Sequence, residues 1–247
     1  MTARRYTIGF VTLESTHSYT TQLWLGANDC AAHFDLNLIT FGGYAKTTLT
    51  APSTEQVFDP IDNLIDLTAL DGILVWTAGV LKDHTVAANF LARYAGIPMV
   101  SLGVDIPGVN RVLVDGYRGM AQLVTHLITT CGRRRLAFIT GTPTNHDAQI
   151  RLQAYMDALQ QHDLPVQPAY IIPGAFMGWA SRTLGIQAVS ELLDNRGLRP
   201  DAIVASSDDL AIGVLQELRK RKISVPDEIS VTGFDDIPDC LSVYPSL

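Results

Sequence analysis

The chain has 247 residues, with 25 acidic side chains against 18 basic ones and a formal net charge of −7. At 47% hydrophobic and 17% charged, it has the composition of a folded globular protein, long enough for one large α/β domain or two smaller lobes. This balance excludes disorder, and also a surface that itself holds nucleic acid, which requires a concentrated basic face.

Nine short runs rich in Val, Ile or Leu, bounded by Gly, Pro, Asp or Ser, predict strands at 7–13, 35–41, 72–76, 98–102, 111–114, 136–140, 169–172, 202–205 and 230–233. Their apolar runs are continuous rather than alternating, as in parallel strands covered on both faces. Between them lie stripes of helical spacing. Met120, Leu123, Val124, Leu127, Ile128 and Cys131 form one, Leu152, Tyr155, Met156 and Leu159 another, and Ala211, Val214, Leu215 and Leu218 a third. Gly132 and the run Arg133 to Arg135 suit a helix C-terminus, where glycine takes the left-handed turn and cations oppose the dipole. Repeated βα units predict right-handed crossovers and doubly wound parallel sheets. The alternation breaks at 104–114, around Pro107, Gly108 and Asn110, which divides the chain into lobes at 6–113 and 114–247. Residues 42–58 read as a long surface loop.

Cys30, Cys131 and Cys240 are widely spaced with no CxxC pair, which predicts buried thiols in a reducing compartment rather than disulfides or zinc. After Arg4 and Arg5 the chain enters its first strand and then a polar loop, not the apolar core of a signal peptide. No apolar run approaches the roughly 18 residues needed to span a bilayer. These readings place the chain in the cytoplasm.

Open parallel sheets bind ligands beyond the carboxyl ends of their strands. The residues there are polar and acidic with aromatics interleaved, a set that hydrogen-bonds hydroxyls and covers the C–H face of a sugar ring better than it holds an anion. His17, Tyr19, Trp76, Asp105, Asn145, Ser207 and Asp208 are the candidates that this position supplies. Each also has a plain structural reading, such as an N-cap for Ser207 or Asp208. There is no GxGxxG after the first strand and no GxxxxGK[ST], HExxH or GxSxG. The six histidines have no metal-ligand spacing. Asp208, Asp209, Asp235, Asp236 and Asp239 lack the spacing of a calcium loop. No catalytic residue, metal site or cofactor is therefore predicted.

The run from Val112 through Asp115-Gly-Tyr-Arg-Gly119, His126 and Gly132 to Gly141 closely resembles the effector-binding core of the lactose/galactose-repressor family. So do Arg151-Leu-Gln-Ala-Tyr155, Asp201 to Gly213 and Val225 to Pro238; before Val112 the resemblance is weaker. It implies a type I periplasmic-binding-protein fold, two doubly wound lobes with a ligand cleft between them. It also implies that Arg151 reaches into the cleft, that Phe176 is the aromatic stacking partner and that Asp235 accepts hydrogen bonds from ligand hydroxyls. The chain departs from the family at Ser207, where an Asn is usual, and over Ser15 to Tyr19. The family's DNA-binding headpiece does not precede residue 7, and a return strand and helix would follow residue 247.

The expectation is a sensor for a sugar, polyol or nucleoside-like effector, signalling by lobe closure or dimer reorientation, and a homodimer by resemblance. Its output would be a helix-turn-helix, histidine kinase or diguanylate cyclase outside the given sequence, with no nucleic-acid or membrane contact of its own. The alternatives are a repressor core without its headpiece and, further off, a transport binding protein.

Overall fold

The structure is a computed structural model that describes residues 4–12, 18–42, 69–76, 90–143, 145–174 and 181–247. The chain forms two compact units, Met1–Val114 and Asp115–Leu247.

The first unit is built on five parallel strands, β1 (Thr7–Thr12), β2 (Asn37–Gly42), β3 (Gly72–Trp76), β4 (Met99–Leu102) and β5 (Asn110–Val112), in the order β2-β1-β3-β4-β5. Helix α1 (Ser18–His33) joins β1 to β2. The core collects Val11, Ile73, Val75, Phe90 and Tyr94, with Phe90 and Tyr94 in ring contact at 4.6 Å. Gly9 sits where a Cβ would come within 2.8 Å of Leu70, so the strand passes under that side chain only without one. β2 lies at the edge, and its exposed residues explain why its run reads less apolar than β1 or β3.

The second unit carries β6 (Leu136–Ile139), β7 (Ile171–Ile172), β8 (Ala202–Ala205) and β9 (Ser230–Thr232) in the parallel order β7-β6-β8-β9. Its helices are α2 (Gly116–Thr129), α3 (His146–Gln161), α4 (Ser181–Ser190) and α5 (Asp208–Lys220). β6 and β8 are buried on both faces. Leu136, Phe138, Ala202 and Val204 pack with Met120, Val124, Tyr155 and Leu159 of α2 and α3. The alternate residues Ala137, Ile139, Ile203 and Ala205 pack with Val189, Val214 and Leu218 toward α4 and α5. A strand that is apolar at every position is what such two-sided burial requires. α4 and α5 cross closely at glycines. A Cβ on Gly213 would stand 2.0 Å from the Arg182 carbonyl oxygen, and one on Gly185 2.1 Å from that of Leu210.

All nine predicted strands form, with ends shifted by up to two residues. At 169–172 a 3₁₀ turn over Pro168–Tyr170 takes the first two predicted residues and leaves Ile171–Ile172 as strand. Gly132 has φ +68° after the end of α2, and the Arg133 amide donates to Leu127, as the helix-end reading requires. The basic run is different from expectation. Arg133 reaches Ser230 Oγ and the carbonyls of Pro226 and Asp227, while the Arg134 and Arg135 amides donate to the Asp201 carboxylate. These residues tie β6 to the loops before β8 and β9 rather than answering the α2 dipole. Cys131 and Cys30 are exposed, which corrects the buried reading for both; Cys240 is buried. Most of the predicted 42–58 loop lies outside the described residues.

Candidate functional site

In the second sheet the chain runs from β6 outward to β7, then returns across β6 to β8, so the switch point lies between the carboxyl ends of β6 and β8. Crevices at such points are where open α/β sheets bind ligands. Arg151, one and a half turns into α3, crosses this point. Its Nη1 donates to the Ser206 carbonyl beyond β8 at 2.6 Å, and its Nη2 donates to Asp235 Oδ1 beyond β9 at 3.0 Å. The guanidinium carbon lies 3.9 Å from the centre of the Phe234 ring, a cation–π stack. Arg151 is 9% exposed, and its Nε is buried with no hydrogen-bond partner.

Asp235 and Asp236 both have positive φ, +108° and +53°, which is unusual for residues with side chains. Such backbone persists only where its surroundings hold it. Here the Asp208 amide donates to the Phe234 carbonyl, and Asp208 Oδ2 accepts from the Ile237 amide at 2.9 Å. Farther along, Arg182 of α4 bonds Asp209 Oδ1 at 2.8 Å and Asp239 Oδ2. The loop after β9 is thus pinned from α3, from the start of α5 and from α4. Glycine is required at 233, because a Cβ there would lie 2.1 Å from Asp208 Oδ1. At Gly119 a Cβ would press on the Phe234 ring at 3.0 Å, so α2 supports the ring by close approach.

The carboxyls titrate abnormally. Burial pushes Asp235 up to about 6, with Arg151 opposing and Asp208 and Asp147 adding to the rise. Burial raises Asp147 and Asp208 as well, the first held back by Arg151 and His146, the second by hydrogen bonds from the Ile237 amide and Cys240. Raised carboxyls beside an arginine mark a desolvated site and not a surface ion pair.

The sequence-predicted residues meet different fates. Arg151 and Asp235 are brought together. Asn145 is the N-cap of α3, accepting from the Ala148 amide at 3.0 Å. Ser207 is extended before α5 and makes no capping hydrogen bond, while Asp208 turns toward the β9 loop. In the first unit, Tyr19 and Trp76 come within 6.1 Å between ring centres, tilted by 40°. Asp105 makes an ion pair with Arg111 at 2.5 Å, both about half exposed. His17 and Phe176 lie outside the described residues. Sequence reasoning missed Phe234, Asp147 and the Ser206 carbonyl as members of the constellation. Phe234 adjoins Asp235 in the chain, but an aromatic at the end of a strand reads as core until the fold lays Arg151 over it. Among the described residues, no group of three or more His, Cys, Asp or Glu side chains is placed to hold a metal ion. No described helix is long and apolar enough to cross a membrane.

The family described as "Periplasmic binding protein-like domain" matches residues 124–247. Catabolite control protein A of Priestia megaterium is 26% identical over 98% of this chain and 68% of its own length. The HTH-type transcriptional regulator AscG of Escherichia coli strain K12 is 35% identical over 79% of this chain and 56% of its own. Among solved structures, a sugar-binding transcriptional regulator of the LacI family from Escherichia coli, in complex with phosphate, superposes with a TM-score of 0.75 at 25% identity. That match covers 98% of this chain and 82% of the other. The fold, the switch-point site and these matches agree: the chain belongs to the periplasmic binding protein-like domain family, in the form found as the effector-binding core of LacI-family transcriptional regulators.

Proposed function

We propose that this chain recognises a small polar, sugar-like effector and passes that recognition to a transcriptional output, without transforming the ligand. The observation that carries the reading is the Arg151–Asp235 pair, desolvated at the switch point of the second sheet and stacked on Phe234. A carboxylate can accept more hydrogen bonds than the one it takes from Arg151, so Asp235 retains capacity for ligand hydroxyls. A solved regulator of similar fold is described as sugar-binding, which supports the same ligand class.

The relatives are transcriptional regulators, so a repressor core is better supported than a sensor feeding a kinase or cyclase. A helix-turn-helix next to this region in the gene product supports the repressor reading; a kinase or cyclase domain there overturns it. We infer a homodimer and a DNA contact made outside this chain. The ligand acts by binding one state of the chain better than another. Calorimetric titration with free sugars, polyols and nucleosides tests the reading, with one class expected to bind and to be recovered unchanged by mass spectrometry. No heat across the whole panel refutes it.

A further inference from the structure

At the end of the second sheet away from the switch point, the amino ends of β6 and β7 open on a half-open cleft of about 250 Å³, its mouth included. Pockets for whole small molecules run from about 300 to 1,000 Å³, so this one suits a compact group. It is lined by Arg134 and Arg135 before β6, by Gln167 and Tyr170 before β7, and by Tyr155 and Leu159 of α3. Among the described residues lining it, none is acidic.

The three consecutive arginines are engaged very differently. Arg133 is bonded to Ser230 Oγ and to the Pro226 and Asp227 carbonyls. Arg135 gives its Nε to the Arg199 carbonyl at 2.7 Å, and its Nη2 stands 3.8 Å from Asp201. Arg134 bonds Asp201 through its backbone amide, but among the described residues its guanidinium has no hydrogen-bond or ion-pair partner. The Gln167 carboxamide and the Tyr170 hydroxyl have no side-chain hydrogen bond there either. Three uncommitted donor groups thus line one cleft.

Little negative charge opposes them. The Asp201 carboxylate accepts from the backbone amides of Arg134 and Arg135, and it faces two guanidinium groups. Tyr155 adds no charge, because burial and the neighbouring Tyr170 phenol raise it, and its hydroxyl donates to the Leu136 carbonyl at 2.8 Å. The Leu159 carbonyl, near the negative end of α3, already accepts from the His162 and Leu164 amides.

We propose that this cleft is an oxyanion site that takes a phosphate group, free or on a small ester. Arg134 holds it by the two parallel N–H bonds that a planar guanidinium offers a tetrahedral oxyanion. Tyr170, Gln167 and the remaining donors of Arg135 complete the set. The site stands apart from the effector site and does not rest on the reading given for it. An ion bound only by the folded chain stabilises that chain.

Calorimetry and thermal melts on the whole chain test this, with inorganic phosphate and glycerol phosphate as probes and chloride balancing the ionic strength. Phosphate is expected to bind saturably, with a Kd of about 1 mM or tighter, and to raise the melting midpoint. Arg134→Gln, at an exposed position, should weaken phosphate by at least about tenfold and leave the midpoint without phosphate unchanged. Tyr170→Phe should weaken it several-fold. Glycerol phosphate binding as tightly as inorganic phosphate assigns the cleft to the group of an ester; weaker binding assigns it to the free ion, and either supports the proposal. No saturable binding of either probe, or phosphate held as tightly by Arg134→Gln as by the unaltered chain, overturns it.

Discussion

Replacing Arg151 with leucine removes the donor to the Ser206 carbonyl, the partner of Asp235 and the plate stacked on Phe234 in one step. Both ends of the pair are mostly buried, at 11% and 16% side-chain exposure, so solvent cannot screen what is left. Removing one partner of a buried pair costs about 3–5 kcal/mol, mainly through the charge stranded behind it. Leucine restores some apolar contact with Phe234, which sets the expected net loss near the lower end, about 3 kcal/mol. The stranded carboxyl has an escape, because it can take up a proton. Arg151 now holds Asp235 down; without it the folded-state value rises beyond about 6. A folded-state value above the unfolded one makes stability fall as pH rises between the two. The Arg151→Leu loss is therefore expected to be smaller at pH near 5 than near 8, where the carboxyl is ionised. Urea melts followed by circular dichroism at both pH values measure it. The double variant Arg151→Leu with Asp235→Asn should recover much of the loss, since no charge is stranded. A single-variant loss below about 1 kcal/mol, or a double variant as unstable as the sum of the singles, would refute the account of a desolvated, coupled pair.

Asp235 carries its own pH signature. Its folded-state value near 6 stands above the ordinary carboxyl value, so the native chain loses stability as pH rises from about 4 to 6, by roughly 3 kcal/mol. Asp235→Asn should show a flatter stability profile over that window, and equal slopes for the two proteins would count against it. Gly233→Ala forces Asp208 off the Ile237 amide and should destabilise by about 2 kcal/mol or more, read from the same melts; an unchanged midpoint would contradict the close approach. Gly213→Ala drives a Cβ into the Arg182 carbonyl and should cost about 1–3 kcal/mol by separating α4 from α5. Arg182→Gln, at a half-exposed position, should cost under about 1 kcal/mol of stability yet weaken sugar binding several-fold by loosening the loop that carries Asp235. Equal affinity in the variant would show that the clamp does not position the site.

The fold was legible because its strands are two-sided. Ala202 to Ala205 can sit only between two layers, and the helical stripes through Met120 and Val214 name those layers. β7 was read too long because Ala169 and Tyr170 continue an apolar run, while Pro168 opens a 3₁₀ turn there. The site was legible in pieces. Position after a strand identified Asp208 and Asn145 as candidates, but position cannot tell a ligand contact from a cap. Asn145 is a cap because it accepts from the Ala148 amide three residues on, whereas Asp208 accepts from the Ile237 amide 29 residues away. The resemblance named Arg151 and Asp235 separately; their pairing, across 84 residues, follows no local pattern and appears only in the fold. Phe234 stayed hidden for a related reason: its role is a property of what lies over it.

Among the site's carboxylates, Asp147 has the least structural reason to be acidic. Asp235 balances Arg151, and Asp208 holds the Ile237 amide, so each contributes to the frame it belongs to. Asp147 is desolvated at the start of α3, and burial raises it in spite of Arg151 and His146. A folded-state value above the unfolded one means that its ionised form costs stability at neutral pH. The helix dipole there is already answered by Asn145, whose side chain caps the Ala148 amide. Its attraction to Arg151 and His146 only partly offsets that burial. Asp147→Asn should therefore leave stability at neutral pH unchanged or slightly raised in urea melts. A clear loss of stability in the melts would instead make Asp147 a helix-end charge that supports α3 against its dipole.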